Sequence, residues 1–456
     1  MTDTIAAIST PHAPGGIGIV RISGDDAFSI AKSLFRTKNQ SIWARSHSPK
    51  AAYGTLQTAE MTGNARVDEA ICLVFCAPRS YTSEDVAEFQ CHGGIRVLQN
   101  VLQAVLAAGA RLAKPGEFTQ RAFRAGKMDL AQAESVLQLI QAQTEQTLRA
   151  ANATMAGALS AEIACLRNQL VVLAAQLSVW MDDPDEDTQL PSKEQMTRLI
   201  DSVRGKLTQL IRRSNALAPL MGGIPTVLLG SPNVGKSTLM NLLLGFERSI
   251  VTDEAGTTRD TVTELALLGQ FSLRLTDTAG VRDTGNTAER LGVVRSRQAA
   301  DNAALILLLM DASRAATSDD LTLLHTYKTP HTIVLLNKTD LPAQFDRSVL
   351  REHTVVEISA TRRIGLDALT DAIENLFAAE DVLPDEPILS TERQIDAVKS
   401  AVAYLDDCTA CLESDLTYDA LQICLEDAIQ ALFVLTGERA SVAVVDEVFR
   451  SFCVGK

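Results

Sequence analysis

The spacing of hydrophobic residues changes several times along this 456-residue chain. Up to about Phe118, runs with strand-like alternation (IGIVRISG, EAICLVFCAP and DVAEFQCHG) are interspersed with runs of helical spacing (AFSIAKSLF and IRVLQNVLQAVLAAG). Alternation places side chains on the two faces of a strand, whereas a spacing of three to four residues marks one face of a helix. The pattern predicts an α+β domain over residues 1–120.

A second region is predicted to be helical and discontinuous in sequence. Between Asp129 and Trp180 there is one glycine and no proline, and alanine, leucine and glutamine recur at helical spacing. Another helical run ends near Ala218, before a PLMGGIP hinge, and the tail after LPDEPILS is again helical in pattern. That tail is too short to bury a core alone, so we expect it to pack on the earlier helices. Residues 121–220 and 381–456 are thus assigned to one helical domain, with an α/β domain inserted at 221–380.

The inserted region begins with a glycine-rich loop between a strand-like run and a helix-like run. Gly230 to Ser237 reads GSPNVGKS, between TVLLG and TLMNLLLG. In such a loop the backbone N–H groups turn toward a β-phosphate, the amine of Lys236 reaches the β- and γ-phosphates, and the hydroxyl of Ser237 can bind Mg²⁺. Taken alone, the loop could also be an ordinary glycine-rich turn.

Three further segments follow in the order that a GTPase requires. After the alternating run FSLRL, Asp277 can hold a Mg²⁺-bound water, and the backbone N–H of Gly280 can contact the γ-phosphate. The other two segments, NKTD and ISAT, each follow an apolar strand-like run and are expected to contact the base of the nucleotide. The order of the four segments predicts a GTP-binding domain.

Guanine recognition is expected from these last two segments. The carboxylate of Asp340 in NKTD can accept both N–H donors of guanine, a pair that adenine lacks. Ser359 and Ala360 lie on a loop suited to backbone contact with the base. The predicted GTP-binding residues are Asn233, Val234, Gly235, Lys236, Ser237, Thr238, Thr252, Asp253, Glu254, Ala255, Gly256, Thr257, Thr258, Asp277, Thr278, Ala279, Gly280, Asn337, Lys338, Asp340, Ser359, Ala360 and Thr361.

The group that orients the attacking water is unusual in this sequence. A Ras-like GTPase has glutamine after the DxxG glycine, whereas this chain has Val281, which cannot hydrogen-bond water. The downstream candidates are Arg282, Asp283 and Glu289. We favour Glu289, because a carboxylate can orient or deprotonate water directly or through a second water. The alternative is a solvated charge on a helix.

The segment DEAGTTRD and the phosphate loop together offer oxygen ligands for cations. Thr258 fits as a second protein ligand of Mg²⁺, beside Ser237. The amide oxygen of Asn233 could complete an oxygen cage with Thr252, the backbone of Glu254 and Thr257. A large monovalent cation there would neutralise phosphate charge as an arginine finger does. Alternatively, Asn233 only caps a turn.

Composition narrows the possible partners and compartments. Lys plus Arg is 42 against 56 for Asp plus Glu, so any contact with nucleic acid must come from local basic patches. The longest uninterrupted apolar stretch, 303–310, is far short of the ~20 residues that span a bilayer, and the N-terminus lacks the features of a secretory signal. The one C-x-x-C pair, Cys408 and Cys411, is better explained by half-buried helix positions than by a zinc site. We expect a reduced, cytoplasmic protein without membrane contact.

Together these motifs resemble the TrmE/MnmE family of bacterial tRNA modification GTPases, which act on the wobble uridine. The GTPase motifs are shared with ribosome-assembly GTPases, whereas PHAPGGIGIVRISG, YTSEDVAEFQCHGG, GKMDLAQAE and FCVGK are more specific. The resemblance covers essentially the whole chain. Two departures are mild: Ser231 stands where the family often has arginine, and the tail reads CVGK where CIGK is commoner.

The resemblance implies a multidomain fold and a particular activity. The fold comprises an α+β, folate-binding-like N-terminal domain, a discontinuous α-helical domain and an inserted Ras-like α/β P-loop GTPase domain. The implied activity is that of a K⁺-stimulated GTPase. The implied assembly is a homodimer whose GTPase domains meet when K⁺ and GTP are bound. In a heterotetramer with an FAD-dependent partner protein, it adds an aminomethyl or carboxymethylaminomethyl group to C5 of the wobble uridine of certain tRNAs. The carbon comes from 5-formyl- or methylene-tetrahydrofolate.

The resemblance also implies roles for individual residues. Glu289 matches the catalytic glutamate, and Cys453 matches the cysteine of the C-terminal motif, whose role the sequence does not explain. The Mg²⁺ ligands match Ser237 and Thr258, the K⁺ ligands match Asn233, Thr252, Glu254 and Thr257, and the folate-binding residues match Arg21, Glu84, Lys127 and Lys456.

Two functions of other classes stay open at this stage. A ribosome-assembly or translation-associated GTPase switch predicts an appended RNA-binding module such as a KH domain with a GxxG clamp, and none is evident in the sequence. A regulatory module that binds GTP without turnover predicts loss of Glu289 or of the switch threonine, and both are present.

Overall fold

A computed structural model describes most of the chain. The described residues are 3–57, 66–142, 144–182, 190–221, 223–246, 263–269, 271–276, 300–301, 303–377, 386–414, 417–450, 452 and 454–455. They divide into two compact units. The first unit combines Met1–Leu137, Ser160–Thr197 and Asp396–Lys456, and the second combines Gln138–Leu159 and Arg198–Ile395.

Strands and helices are numbered here in chain order. The strands are β1 (Ile5–Ile8), β2 (Ile17–Ser23), β3 (Phe35–Arg36), β4 (Lys50–Gln57), β5 (Arg66–Phe75), β6 (Val86–His92), β7 (Arg111–Leu112), β8 (Ile224–Gly230), β9 (Thr263–Leu268), β10 (Phe271–Thr276), β11 (Leu305–Asp311), β12 (Thr332–Asn337) and β13 (Thr354–Glu357). The helices are α1 (Ala27–Leu34), α2 (Ile95–Ala107), α3 (Glu117–Arg124), α4 (Leu130–Gln141), α5 (Glu145–Met155), α6 (Ala158–Asp182), α7 (Lys193–Met221), α8 (Lys236–Phe246), α9 (Ser318–Thr326), α10 (Leu366–Phe377), α11 (Glu392–Glu413), α12 (Tyr418–Thr436) and α13 (Val442–Arg450). Two short 3₁₀ helices span Gln40–Trp43 and Arg347–Leu350.

The first unit begins with a seven-stranded sheet in the order β3-β4-β5-β6-β2-β1-β7. Neighbouring strands are antiparallel except for the parallel pair β1 and β7. One face packs against α1 and α2 around a core that includes Ile22, Phe89 and Leu98. The alternation of the sequence produces this arrangement, since every second side chain of a strand points to the helices. The predicted α+β N-terminal domain is confirmed.

The opposite face of this sheet is only partly covered. Arg21 on β2 and Glu88 on β6 face each other there. The neighbouring apolar side chains of Ile17, Tyr53 and Ile71 are 68 %, 65 % and 42 % exposed. A cluster of exposed apolar residues on one sheet face marks a surface against which another molecule can pack. We call this region the open sheet face.

The helical part of the first unit buries regular apolar stripes. In α6, leucine and isoleucine recur every three to four residues on the buried side, at Leu159, Ile163, Leu166, Leu170, Leu173 and Leu177. By length and composition α6 could cross a membrane, with 39 % of its most apolar window buried inside the fold. Arg167 on this helix pairs with Glu438 and lies 4.2 Å from the ring centre of Phe433. This packing is that of a core helix in a helical domain.

Residues close to the end of the chain return to the N-terminal sheet. Val454 forms an isolated antiparallel bridge with Pro115, and the hydroxyl of Ser9 donates to the carbonyl of Gly455 at 3.1 Å. These contacts close the first unit between segments that are 446 residues apart in sequence.

The second unit contains a six-stranded sheet in the order β13-β12-β11-β8-β10-β9. All neighbouring strands are parallel except β9 and β10, which form an antiparallel pair. Two apolar clusters, one containing Leu228 and Leu335 and the other Leu229 and Val334, cover the two faces of this sheet. Parallel strands buried on both faces read as continuous apolar runs, as LILLLM does in β11. The predicted α/β domain is confirmed.

The chain enters and leaves this α/β domain at neighbouring points. Helix α7, which leads into β8, continues to Met221, three residues beyond the predicted end near Ala218. After the domain, the backbone N–H of Leu389 donates to the hydroxyl of Ser214 in α7 at 2.8 Å. The side chain of Gln138 contacts Ser390 in the same returning segment. An insertion between two helical segments accounts for this proximity. The domain boundaries predicted from sequence stay predictions.

Candidate functional site

The phosphate loop connects β8 to α8, as predicted. It passes through three residues with positive φ, Gly230 at 149°, Asn233 at 65° and Gly235 at 103°. A Cβ atom on Gly235 would lie 2.4 Å from Nδ2 of Asn337. Glycine is required here for two reasons, the left-handed backbone and the close approach of a second loop.

The lysine and the hydroxyls of the loop lie at the start of α8. The amine of Lys236 donates to the carbonyls of Gly230 at 2.8 Å and Ser231 at 2.9 Å. The side chains of Ser237 and Thr238 are exposed. The first backbone N–H groups of a helix favour an anion. Together with the lysine, they form a site that suits phosphate groups.

The NKTD loop is tied to the phosphate loop by two polar side chains. Buried Asn337 donates to the carbonyl of Val234 at 2.9 Å and accepts the backbone N–H of Ala360 at 3.0 Å. The amine of Lys338 donates to the carbonyl of Asn233 at 2.9 Å and pairs with Asp311 at 2.6 Å. The two loops therefore hold each other in place.

Asp340 is the residue that is predicted to recognise the base. Its carboxylate accepts the hydroxyl of Ser359 at 2.6 Å, and the guanidinium of Arg362 lies 3.8 Å away. The hydrogen bond from Ser359, helped by the backbone N–H of Asp340 and then by the charge of Arg362, lowers the pKa of Asp340, so the carboxylate is ionised at neutral pH. An ionised carboxylate on this loop can accept two N–H groups of guanine.

The structure shows contacts of the ISAT loop within the domain, while its contact with the base stays a prediction. The backbone N–H of Ala360 is engaged with Asn337, and the hydroxyl of Ser359 orients Asp340. Both residues therefore organise the base-recognition loop. Thr361 is exposed next to them.

Several predicted site residues lie outside the residues that the structure describes. They are Thr252, Asp253, Glu254, Ala255, Gly256, Thr257, Thr258, Asp277, Thr278, Ala279, Gly280, Glu289, Cys453 and Lys456. Of the predicted cation ligands, Asn233 and Ser237 are described.

Among the residues predicted to bind folate, Arg21 pairs with Glu88 rather than with Glu84. The Arg21 guanidinium donates to Glu88 at 2.7 Å and lies 5.6 Å from the ring centres of Tyr81 and Phe118. Sequence reasoning missed Glu88. The alternation of VRIS and DVAEFQ indicates the sheet face of each side chain, but only the strand register of the structure places Arg21 opposite Glu88.

Glu84 and Lys127 make different contacts. Glu84 accepts the hydroxyl of Ser23 at 2.7 Å and pairs with Arg121 at 3.0 Å. Arg121 also pairs with Asp3 and with Glu117. The amine of Lys127 donates to the carbonyl of Ser80. The glutamate singled out by sequence thus belongs to a charged network beside the open sheet face.

That network lines a cavity of about 730 Å³ in the first unit. Arg111 and Arg121 are held inside it by Asp3 and Glu117, at 2.6 to 3.1 Å. Burial raises the pKa of Glu117, but the hydrogen bonds from Arg111 and neighbouring groups outweigh that effect and lower it. The carboxylates of Asp3, Glu84 and Glu117 are therefore paired with these two arginines.

Comparison with known proteins gives the family. The family model "GTP-binding protein TrmE N-terminus" matches residues 4–127, and the model "MnmE helical domain" matches residues 130–453. The tRNA modification GTPase MnmE of Lactococcus lactis subsp. lactis is 40 % identical over 457 aligned residues, covering 100 % of this chain and 98 % of the relative. The chain belongs to the MnmE family of tRNA modification GTPases. The MnmE of Acetivibrio thermocellus is 38 % identical, covering 100 % of this chain and 99 % of the relative.

Membership of the MnmE family makes the chain a GTP hydrolase with the multidomain fold expected from sequence. Solved G domains also match in part. Aquifex aeolicus Era is 26 % identical with a TM-score of 0.26, covering 39 % of this chain and 65 % of that one. The G domain of T. maritima FeoB is 23 % identical with a TM-score of 0.26, covering 33 % of this chain and 96 % of that one. The assignment rests on the family models and the full-length relatives.

Proposed function

We propose that this chain is a K⁺-stimulated GTPase that modifies C5 of the wobble uridine of certain tRNAs with an FAD-dependent partner protein. The observation that carries the proposal is the full-length match to proteins named as tRNA modification GTPases. The preformed contact between the phosphate loop and the NKTD loop supports GTP as the nucleotide. GTP hydrolysis would drive the paired GTPase domains between closed and open arrangements.

The described part of the phosphate loop supports binding of both cations. The hydroxyl of Ser237 and the side chain of Asn233 are exposed, so their oxygens are open to a ligand. Ser237 with Thr258 would hold Mg²⁺, and Asp277 would hold a water bound to it. Asn233 with Thr252, Glu254 and Thr257 would hold K⁺. Oxygen donors are what both cations require, and the bound charges would stabilise the transition state.

Hydrolysis requires one more residue of this chain. We assign Glu289 the orientation of the attacking water, directly or through a second water. Lys236 would bind the β- and γ-phosphates, and the backbone N–H of Gly280 would contact the γ-phosphate. Asp340 would select guanine.

The open sheet face supports a folate site. Arg21 and Glu88 are 18 % and 12 % exposed, so a ligand lying on the face could reach both groups. Glu88 can accept N–H groups of a pterin ring, and Arg21, Lys127 and Lys456 can bind carboxylates. We therefore propose that 5-formyl- or methylene-tetrahydrofolate binds here and supplies the carbon, with Glu88 added to the residues chosen from sequence.

The same face supports a homodimer. Ile17, Tyr53 and Ile71 expose apolar area beside Arg21, and a second copy would remove that area from water. The dimer would join the FAD-dependent protein in a heterotetramer that receives tRNA in the cytoplasm.

Nucleoside mass spectrometry of bulk tRNA tests the proposed reaction. Cells that lack this protein should lose C5-aminomethyl-type uridines, and wild type should restore them. Glu289→Ala should not restore them, because hydrolysis would be lost while GTP still binds. An unchanged nucleoside profile in the null strain would contradict the tRNA substrate.

Replacing KCl by NaCl at equal ionic strength tests the cation cage. GTP turnover by the purified protein should slow at least ~10-fold, since a smaller ion fits an oxygen cage built for a larger one less well. Asn233→Ala should be slow in both salts. Equal rates for wild type in the two salts would exclude K⁺ from the mechanism.

A further inference from the structure

The second residue of the phosphate loop contacts a helix that lies far away in sequence. The hydroxyl of Ser231 donates to Oδ1 of Asp320 at 2.6 Å, across a separation of 89 residues. Asp320, on α9, is fully buried, and Ser231 is 7 % exposed. A buried carboxylate with a short hydrogen bond to the loop is a fixed point of the structure.

The surroundings of Asp320 hold its carboxylate in one orientation. It accepts a hydrogen bond from Arg314 at 2.7 Å, from the hydroxyl of Thr317 at 2.9 Å and from the Thr317 backbone N–H at 3.0 Å. Burial alone would raise the pKa of Asp320. The hydrogen bonds, with that of Ser231 first among them, lower it to about 2. The carboxylate is therefore ionised and rigid at neutral pH.

Ser231 connects this carboxylate to the phosphate-binding lysine. Its side chain is bound to Asp320, and its carbonyl accepts the amine of Lys236 at 2.9 Å. We propose that Asp320, acting through Ser231, is a positioning residue that fixes the phosphate loop and Lys236 for GTP.

The same segment anchors the phosphate loop at a second point. Asp311, at the end of β11, pairs with Lys338, whose amine binds the carbonyl of Asn233. Asp320 thus contacts the loop directly at Ser231. Asp311 contacts it through Lys338 at Asn233, on the other side of Pro232. A loop held at two points loses less freedom when the nucleotide binds, so its affinity for the nucleotide is higher.

The test is a double-mutant cycle on the full-length protein, with the dissociation rate of a fluorescent GDP analogue as the readout. Ser231→Ala and Asp320→Asn should each raise that rate ~10-fold, because the first removes the hydroxyl donor and the second removes the charge of the acceptor in the same hydrogen bond. The double variant should also be raised ~10-fold, rather than by the product of the two. Ser231→Thr retains the hydroxyl and should stay within about threefold of wild type.

Two matched variants separate positioning from stability. Thr317→Ala removes the N-terminal cap of α9 and one donor to Asp320, but it leaves Arg314, the Thr317 backbone N–H and Ser231 bound to that carboxylate. It should therefore lower Tm with less than about a threefold change in dissociation rate. Thr322→Ala removes an exposed hydroxyl from the same helix and should change neither quantity. A Ser231→Ala rate within about twofold of wild type, or additive effects in the cycle, would overturn the proposal. If Asp320→Asn fails to fold, Ser231→Ala and Ser231→Thr decide the question alone.

Discussion

Asp340 is oriented by a neighbouring side chain of its own domain. The Ser359 hydroxyl donates to one oxygen of the Asp340 carboxylate, and the side chain of Asp340 is 19 % exposed. A group whose partners already fix its position needs little reorganisation when it binds a ligand. In the proposed recognition of guanine by Asp340, the hydrogen bond from Ser359 would contribute by fixing the carboxylate.

Exchanging Asp340 for asparagine should change which base is bound. In Asp340→Asn the amide retains one acceptor and gains a donor, so GTP affinity should fall ~100-fold while xanthosine triphosphate, which has an acceptor at C2, gains affinity. Titration with both nucleotides measures this change. Asp346→Asn is the matched control, because Asp346 is an exposed carboxylate that caps a 3₁₀ helix in the same unit. Retained preference for GTP would show that another residue recognises the base.

How far the sequence predicts single residues depends on the distance over which their contacts form. The phosphate loop and NKTD were predictable because the chemistry of each lies within a few consecutive residues. The partner of Arg21 was not predictable. Glu84 and Glu88 are four residues apart in sequence, and only the strand register shows that Glu88 lies opposite Arg21. The contact between Ser231 and Asp320 was also not predictable, since no local pattern links a loop to the first turn of a helix 89 residues later.

At the scale of elements, a glycine ends α12. The backbone N–H of Gly437, at φ 85°, donates to the carbonyls of Phe433 at 3.1 Å and Val434 at 3.3 Å. A Cβ atom here would lie 2.5 Å from Cβ of Leu130 in α4. The glycine is therefore needed for the end of the helix and for its packing on a second helix.

Two glycine-to-alanine changes should have opposite effects on stability. Gly437→Ala should lower the free energy of unfolding by at least ~1 kcal/mol, because of its positive φ and the steric clash. Gly205→Ala, inside α7 with open space around its Cβ position, should raise that energy by about 0.5–1 kcal/mol. Urea titrations followed by circular dichroism measure both. Equal effects of the two variants would show that the geometry at Gly437 does not matter.

The elements were predictable where the hydrophobic period is regular and less so at their ends. The expected long helices between Asp129 and Trp180 are three helices in the structure. They are separated at the capping box of Thr144 and at Gly157, which has φ 89°. Thr144 was a weak signal, because threonine is also tolerated inside helices, and its cap depends on reciprocal bonds with Thr147.

At the scale of the molecule, the open sheet face should determine the oligomeric state. Ile71→Asp places a charge in the centre of that face, so a homodimer that uses it should dissociate into monomers. Light scattering coupled to size-exclusion chromatography measures the mass. The control is Val442→Asp, because Val442 is 72 % exposed at the start of α13, where an acidic residue suits the helix. If Ile71→Asp is still a dimer, the dimer interface lies outside the open sheet face.

The bond between Ser9 and Gly455 has a consequence for how the protein is made. A ribosome synthesises the chain from its N-terminus, so the strands of the first sheet emerge long before residue 455. The contacts of Val454 with Pro115 and of Gly455 with Ser9 can form only after residues 454 and 455 have been synthesised, and these follow the GTPase domain in the chain. While the GTPase domain is being translated, the nascent N-terminal domain therefore lacks the contacts that Ser9 and Pro115 make with residues 454 and 455. Early truncation products would lack this closure however well their sheet folds.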